Sequence, residues 1–440
     1  MFLISSFCYF KKWSIGLGMM HFLRLFLAVF FLLAGLSSIC FAGGWEPVIE
    51  MTPLVPEYMV AVEKQSQKVH LLVHKSPLRA EASFTCATGQ VAGDKTAEGD
   101  LKTPEGVYFT TGKRTGLKDF DLYGTMAFPL DFPNPVDRIK GKTGYGIWIH
   151  GRGKKLVPMD TKGCVALVNS DIGFIDSRIT PGTAVIIGES VSWNEPAGNQ
   201  TQESELLKDL VYKWAQDWEN KDGAFFKAFA ADRFSESEGR PFKYFENRKK
   251  RIFSRAKWID VEIFNLQALP GPDYWVTWFD QYYRSGNLSS STSKRLYWQQ
   301  VGGHWKIVGR EYGPHIGSLK KKYLASKQEG VNRFLDQWRS DWLSGDLEKY
   351  ISKYDLKARQ GKRRGAKSIM EHKSSIWEKR KPSTIELGKI KLREHSQGLE
   401  VVFRQEYADV SGYTDKGIKK LVIRPEGDSW RIVDEQWSRR

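Results

Sequence analysis

The sequence predicts an α+β protein, a β-rich domain followed by two copies of a helix-on-curved-sheet domain, and three observations predict it. From residue 58 to about 188 the chain is a series of short runs rich in Val, Ile, Phe and Thr, punctuated by Gly and Pro, as strands joined by turns require. The pattern W-x-x-D-W-x-x-x-D occurs at Trp214, Asp217, Trp218 and Asp222 and recurs 124 residues later at Trp338, Asp341, Trp342 and Asp346. Each copy opens with an amphipathic helical pattern and continues in strand-like runs, so one helix is expected to pack across one antiparallel sheet.

Length and charge bound the rest. The 440 residues carry a formal charge of +16, too long a chain for one core and long enough for two to four domains. With 41% hydrophobic and 27% charged residues the chain is neither disordered nor collagenous. Only the N-terminal stretch is apolar enough to enter a bilayer, which excludes a multi-span transporter. Lys11, Lys12 and Arg24 precede an apolar run at 25–36, with small residues up to Ala42, so residues 1–42 read as a signal peptide or an N-terminal membrane anchor. Met19 or Met20 would begin a leader of conventional length, and Ile39 before Cys40 departs from a lipoprotein signal. Without the leader the charge is +13. An exported, periplasmic or envelope protein of this sign attracts anionic glycan or phospholipid. Nucleic acid is not expected as a partner, since no helix-turn-helix, zinc-finger or ribonucleoprotein signature accompanies the charge.

Strands are expected at 59–62, 69–73, 106–110, 146–150 and 184–187, and Cys86 reads as an inward strand residue that behaves as a small hydrophobe. Residues 190–204 are polar and aperiodic and read as a linker. The first repeat spans 205–313, a second linker 314–328, and the second repeat 329–440. Leu207, Leu210, Val211, Trp214 and Trp218 share one helical face, as do Phe334, Leu335, Trp338 and Trp342. Phe279, Gln281 and Tyr283 match Phe403, Gln405 and Tyr407 at the same offset, whereas Trp305 to Val308 match Trp430 to Val433 at 125. The extra residue therefore falls between Tyr283 and Lys294, in a stretch at 286–293 that reads as a hairpin loop. The repeats resemble the nuclear transport factor 2-like fold, whose cone-shaped sheet encloses a pocket, and most of their aromatic residues are expected to be core.

The chemistry concentrates in the β-rich domain. Gly146-Ile147-Trp148-Ile149-His150-Gly151 is followed, fourteen residues after His150, by Cys164 in Thr161-Lys162-Gly163-Cys164-Val165-Ala166-Leu167. A thiol nucleophile needs a base or imidazolium partner, which a His at the end of an adjacent strand supplies. Gly163 lets backbone N–H groups approach a developing oxyanion, and Thr161 braces the turn. An exported chain left with Cys86 and Cys164 would by default form a disulfide; the neighbours of Cys164 favour a free thiol instead.

This pattern resembles the catalytic signature of the L,D-transpeptidase (YkuD-type) domain of bacterial cell-wall enzymes. Gly99-Asp100-Leu101-Lys102-Thr103-Pro104-Glu105-Gly106 is similar to that family's G-x-x-x-T-P-x-G segment, and Asn169 and Asp171 trail the Cys loop. The resemblance covers about 57–189. It implies that Cys164 attacks the carbonyl of the third-position diamino acid of a peptidoglycan stem tetrapeptide, that His150 moves the proton, that the Gly151 carbonyl orients the imidazole, and that the N–H groups near Gly163 and Cys164 form the oxyanion hole. Tyr145, Trp148, Lys162 and Ala166 are candidate substrate contacts. Ala166 stands where many members have Arg, and Lys162 where some have His; the variant resembles the branch that trims tetrapeptides to tripeptides in curved and helical bacteria, whose members also carry a C-terminal domain of the nuclear transport factor 2-like kind. Transpeptidation and carboxypeptidation share the acyl-enzyme, and a non-catalytic envelope-binding protein is the rival from another class.

No cofactor is expected, for the chain has neither a phosphate-cradling loop nor a dinucleotide fingerprint. No metal is expected either: His70 and His74 fall in a strand-like run, without a zinc-ligand spacing. The histidines of the repeats do not correspond, His304 aligning with Ser429 and His372 with Arg248. The repeats are thus expected to bind glycan, peptide or an envelope protein rather than to catalyse, and the basic runs at 359–364 and 379–381 suit an anionic ligand.

Overall fold

Two sheets face each other in the β-rich domain because its strands alternate. In this computed structural model, which describes residues 43–193, 198–236, 240–427 and 429–439, the domain runs β1 (Tyr58–Glu63), β2 (Lys68–Val73), β3 (Arg79–Thr85), β4 (Gly106–Phe109), β5 (Arg114–Thr115), α1 (Phe120–Tyr123), β6 (Met126–Pro129), α2 (Pro135–Ile139), β7 (Trp148–Arg152), β8 (Val165–Val168), α3 (Asn169–Asp176) and β9 (Ala184–Gly188). One sheet has the order β3-β2-β1-β9-β4, the other β5-β6-β7-β8. Val60, Val62, Val185 and Ile187 point from the first sheet to Ile149, Val165 and Leu167 on the second. The alternate residues Met59, Ala61, Ala184 and Ile186 point the other way, onto Val276, Trp278, Tyr297 and Val308 of the first repeat. The period of two thus buries both faces of β1 and β9. The leader reading at 1–42 lies outside the described residues.

The first repeat comprises α4 (Gln200–Glu219), α5 (Ala224–Lys227), β10 (Ser235–Glu236), α6 (Phe242–Arg255), β11 (Asp260–Pro270), β12 (Trp275–Ser285), β13 (Leu288–Val301) and β14 (His304–Tyr312). The second comprises α7 (Lys320–Ser344), α8 (Leu347–Ile351), β15 (Tyr354–Gln360), β16 (Arg363–Arg364), α9 (Ala366–Trp377), β17 (Pro382–Leu387), β18 (Lys391–His395), β19 (Gly398–Asp409), β20 (Thr414–Glu426) and β21 (Ser429–Arg439). Both sheets wrap a helix-lined core that contains the tryptophans of the duplicated motif. The duplication extends to defects: the register slips at Tyr297/Trp298 in one copy and at Val422/Ile423 in the other. A bulge bends its strand and raises the local twist, which is how a cone closes. Among the described residues no helix is long and apolar enough to cross a membrane.

Four expectations are corrected. The first linker ends early, since α4 starts at Gln200, where the Gln200 side chain is tied to Val48 O and Glu50 N at 2.7 and 3.0 Å. The stretch 314–328 is mostly helix, because Tyr323 is buried against Tyr282 of the first repeat, ring centroids 4.9 Å apart, and Lys327 is paired with Asp260 and Glu262 at 2.9 and 2.6 Å. The stretch 286–293 is not a loop: strand β13 resumes at Leu288 after a two-residue turn, and the longer connection, at 410–413, belongs to the second copy. Cys86 lies one residue beyond β3, still fully buried.

Candidate active site

Strand register assembles the site. β7 and β8 run parallel with Ile149 opposite Val165 and His150 opposite Ala166, which places Cys164 beside Trp148. Side chains alternate along a strand, so Ile149 and Val165 enter the core while Trp148, His150 and Cys164 share the opposite face.

His150 is buried and its Nδ1 lies 2.7 Å from the carbonyl oxygen of Gly151. A carbonyl only accepts, so Nδ1 carries the proton and Nε2 of the neutral ring is left as the base. Burial holds the imidazole below its ordinary pKa, with the Gly151 bond opposing and the Arg152 charge assisting. The half-buried Cys164 thiol is pushed up by burial, partly offset by the Trp148 backbone and the Lys95 ammonium. Both shifts favour a neutral thiol and imidazole at rest rather than a preformed ion pair. The thiol donates to Gly146 O at 3.5 Å, and among the described residues no bond joins it to the imidazole.

The loop before Cys164 is braced as expected and occupied differently. Thr161 Oγ1 donates to Cys164 O at 2.7 Å and accepts from Gly163 N at 3.1 Å. The Gly163 N–H is therefore already bonded inside the turn rather than free for an oxyanion. Gly163 is required for another reason: its φ is +123°, and a Cβ would lie 2.6 Å from Lys102 O. That contact seats the Cys loop on the T-P segment, where Asp100 accepts from Lys95 Nζ, Thr96 N, Ala97 N and Lys102 N at 2.7 to 3.1 Å.

Of the candidate substrate contacts, Tyr145 is 78% exposed, Lys162 is exposed, and Trp148 is half-buried with the Arg114 guanidinium 5.1 Å from its ring centroid. Ala166 is a correction: it is fully buried because Ala87 pairs with it through two 2.9 Å backbone hydrogen bonds and covers it. Two neighbours were missed, Tyr123 and Lys95, and a third, Asn169, was named only as trailing the Cys loop. Tyr123 packs edge-on against His150 at 5.3 Å and against Trp148 at 5.2 Å. Lys95 is buried, its ammonium held by Asp100. Asn169 Oδ1 accepts from Thr125 N at 2.9 Å and lies where a Cβ at Gly151 would meet it at 2.4 Å.

A cysteine just before one strand and a tautomer-fixed histidine on its neighbour are the two side chains that cysteine acyl-transfer chemistry uses. Residues 57–187 match the L,D-transpeptidase catalytic domain family, and residues 206–311 and 330–436 each match the Cds6 C-terminal NTF2-like domain. The chain therefore carries an L,D-transpeptidase catalytic domain of the peptidoglycan-acting kind, followed by two domains of the nuclear transport factor 2-like fold. Among solved structures it is similar to Bdellovibrio bacteriovorus Bd1075, at 26% identity and TM-score 0.48 over 61% of this chain and 97% of that one. It is also similar to Pgp2, a helical cell shape determining protein from Campylobacter jejuni, at 27% identity and TM-score 0.47 over 57% and 91%. No curated protein matches.

Proposed function

We propose that this chain is an exported enzyme that opens the bond between the third-position diamino acid and the terminal D-alanine of a peptidoglycan stem tetrapeptide. The observation that carries the reading is the His150 Nδ1 to Gly151 O bond, which leaves Nε2 as the base on the same sheet face as the Cys164 thiol. As Cys164 Sγ forms a bond to the carbonyl carbon, His150 takes the thiol proton; as the C–N bond breaks, it returns that proton to the leaving amine. Water then releases a tripeptide, or an acceptor amine forms a cross-link. Tyr145, Trp148 and Lys162 line the approach.

The resting neutrality of the pair suits this sequence, because the imidazole is already in the form that removes a proton. The two repeats are read as recruiting substrate, an anionic envelope polymer or an envelope protein. Incubation with purified muropeptides followed by mass analysis tests the whole reading. Tripeptide marks a carboxypeptidase and cross-linked dimer a transpeptidase; unchanged substrate, together with no acylation of Cys164 by a carbapenem, leaves the non-catalytic envelope protein.

A further inference from the structure

We propose that the cone of the first repeat is a binding site for a phosphoryl group, a function separate from the chemistry read for Cys164. The cone holds a cavity of about 580 Å³ whose lining includes Arg248, Lys249, Arg251, Arg255, Lys294 and Arg310 and, among the described residues, no carboxylate. At its base Lys249 Nζ sits 3.2 Å from the centroid of the Trp218 ring, and Lys294 Nζ sits 4.5 Å from the same centroid while donating to Gln281 Oε1 at 2.7 Å. Both lysines are more than nine-tenths buried. Arg310 is ion-paired with Glu236, its register partner on β10, so that carboxylate is committed elsewhere.

The lining also leaves donors unanswered. Trp218 Nε1, Thr292 Oγ1 and Arg310 Nε are buried without a hydrogen-bond partner. Buried polar groups are normally satisfied, and two buried ammonium groups normally have a counter-charge. An excess of donors and cations over acceptors calls for a compact anion with several oxygens. A terminal phosphoryl group offers three and up to two charges, against two oxygens and one charge for a carboxylate.

The second repeat supplies the contrast from within the same chain. Trp342, Lys373, Gln405, Tyr407 and Lys419 stand at the positions of Trp218, Lys249, Gln281, Tyr283 and Lys294, in a cavity of about 700 Å³. The ladder pair differs: Gln360 and Glu435 replace Glu236 and Arg310 in the same register. Glu435 is ion-paired with Lys419 and accepts from Gln360 Nε2 at 2.8 Å and Tyr354 Oη at 2.6 Å. The second cone thus carries its own carboxylate at the place where the first has an arginine, and Lys419 already has its counter-charge there.

Burial, then the neighbouring cations, holds Lys249 and Lys294 well below the ordinary lysine pKa. An incoming anion stabilises their charged forms, so binding takes up protons and weakens as pH rises.

Calorimetric titration of the full chain with inorganic phosphate, in two buffers of different ionisation enthalpy and at fixed ionic strength, tests this. One saturable site with proton uptake is expected. Lys249→Met and Lys294→Met should each weaken it at least about tenfold, since each removes a charge-assisted contact, while Lys419→Met and Cys164→Ala stay within about twofold. Glycerol phosphate and phosphatidic acid vesicles as competitors distinguish a soluble or polymer-borne ester from a lipid headgroup. The proposal is overturned by the lack of a saturable site, by acetate binding as tightly as phosphate, by competition from neither ester, or by sensitivity to Lys419→Met rather than Lys294→Met. If both methionine variants unfold, proton uptake and the preference over acetate in the unaltered chain still decide it.

Discussion

The imidazole of His150 is fixed by its own neighbour: Nδ1 lies 2.7 Å from the Gly151 carbonyl oxygen, and Gly151 has no room for a side chain because Asn169 Oδ1 fills the place of its Cβ. The ring's tautomer is therefore set by backbone, and its lowered pKa by burial. A base of this kind is active once deprotonated, so acylation of Cys164 should rise with pH along a limb whose midpoint lies below the ordinary imidazole value of about 6.5. A stopped-flow profile of carbapenem acylation measures it; a limb above that value would contradict a buried neutral base.

Removal of the nucleophile separates chemistry from folding. Cys164→Ala should lower turnover of muropeptides by at least about a thousandfold while leaving the thermal midpoint nearly unchanged, since the half-buried thiol makes few packing contacts. Cys164→Ser should be almost as inactive, because this imidazole has a much weaker acid to deprotonate. Turnover surviving in the alanine variant would remove Cys164 from the mechanism.

Cys86 and Cys164 should differ in reactivity. Both thiols are free, and burial pushes Cys86 up to about 12, so its thiolate is scarce at neutral pH. In the native, non-reduced protein a maleimide should label the peptide containing Cys164 and reach Cys86 only after unfolding. A disulfide between them, or equal labelling of both, would contradict the structure.

Gly163 carries a backbone prediction. With φ at +123° and a prospective Cβ 2.6 Å from Lys102 O, Gly163→Ala should destabilise the catalytic domain by roughly 1–3 kcal/mol. It should also slow acylation, because the turn held by Thr161 must shift. Denaturant midpoint and acylation rate, measured together, check both parts.

How much of this was legible follows from where the information sits. His150 on β7 and Cys164 just before β8 are close in sequence, so a short motif shows them. Tyr123 at the end of α1 and Lys95 in a loop reach the site by tertiary packing, and no local pattern announces them; Asn169 was visible only as a residue trailing the Cys loop. Ala166 was a candidate contact because it stands where many members of the resembled family have Arg, but only the structure shows Ala87 pairing across it. The duplicated domains were readable from Trp214 and Trp338, which core packing holds at fixed places. The start of α7 was not, since Lys320, Lys321 and Lys322 look like a solvated connector until Tyr323 is seen against Tyr282.

That helix governs how the second repeat is to be removed. Tyr323 Oη donates to Asp260 at 2.5 Å, and Lys327 bridges Asp260 and Glu262, so a cut at residue 329 would sever α7 and leave its first turns on the first repeat. A cut at 318 removes the helix whole but exposes Tyr282 and leaves Asp260 without its cation, beside Glu219, which burial and Asp260 raise to about 8. The truncated chain should therefore lose some stability in the first repeat, of the order of 3 kcal/mol for the broken buried pair, and Asp260→Asn should recover part of it. None of these groups is among the residues placed at Cys164, so its acylation by a small β-lactam should stay within about twofold. Action on intact sacculi should fall if the second repeat helps hold the polymer, as a second binding module would. Unchanged activity on sacculi would exclude that recruiting role, and loss of small-probe acylation in a folded truncation would show that the repeats support the catalytic site itself.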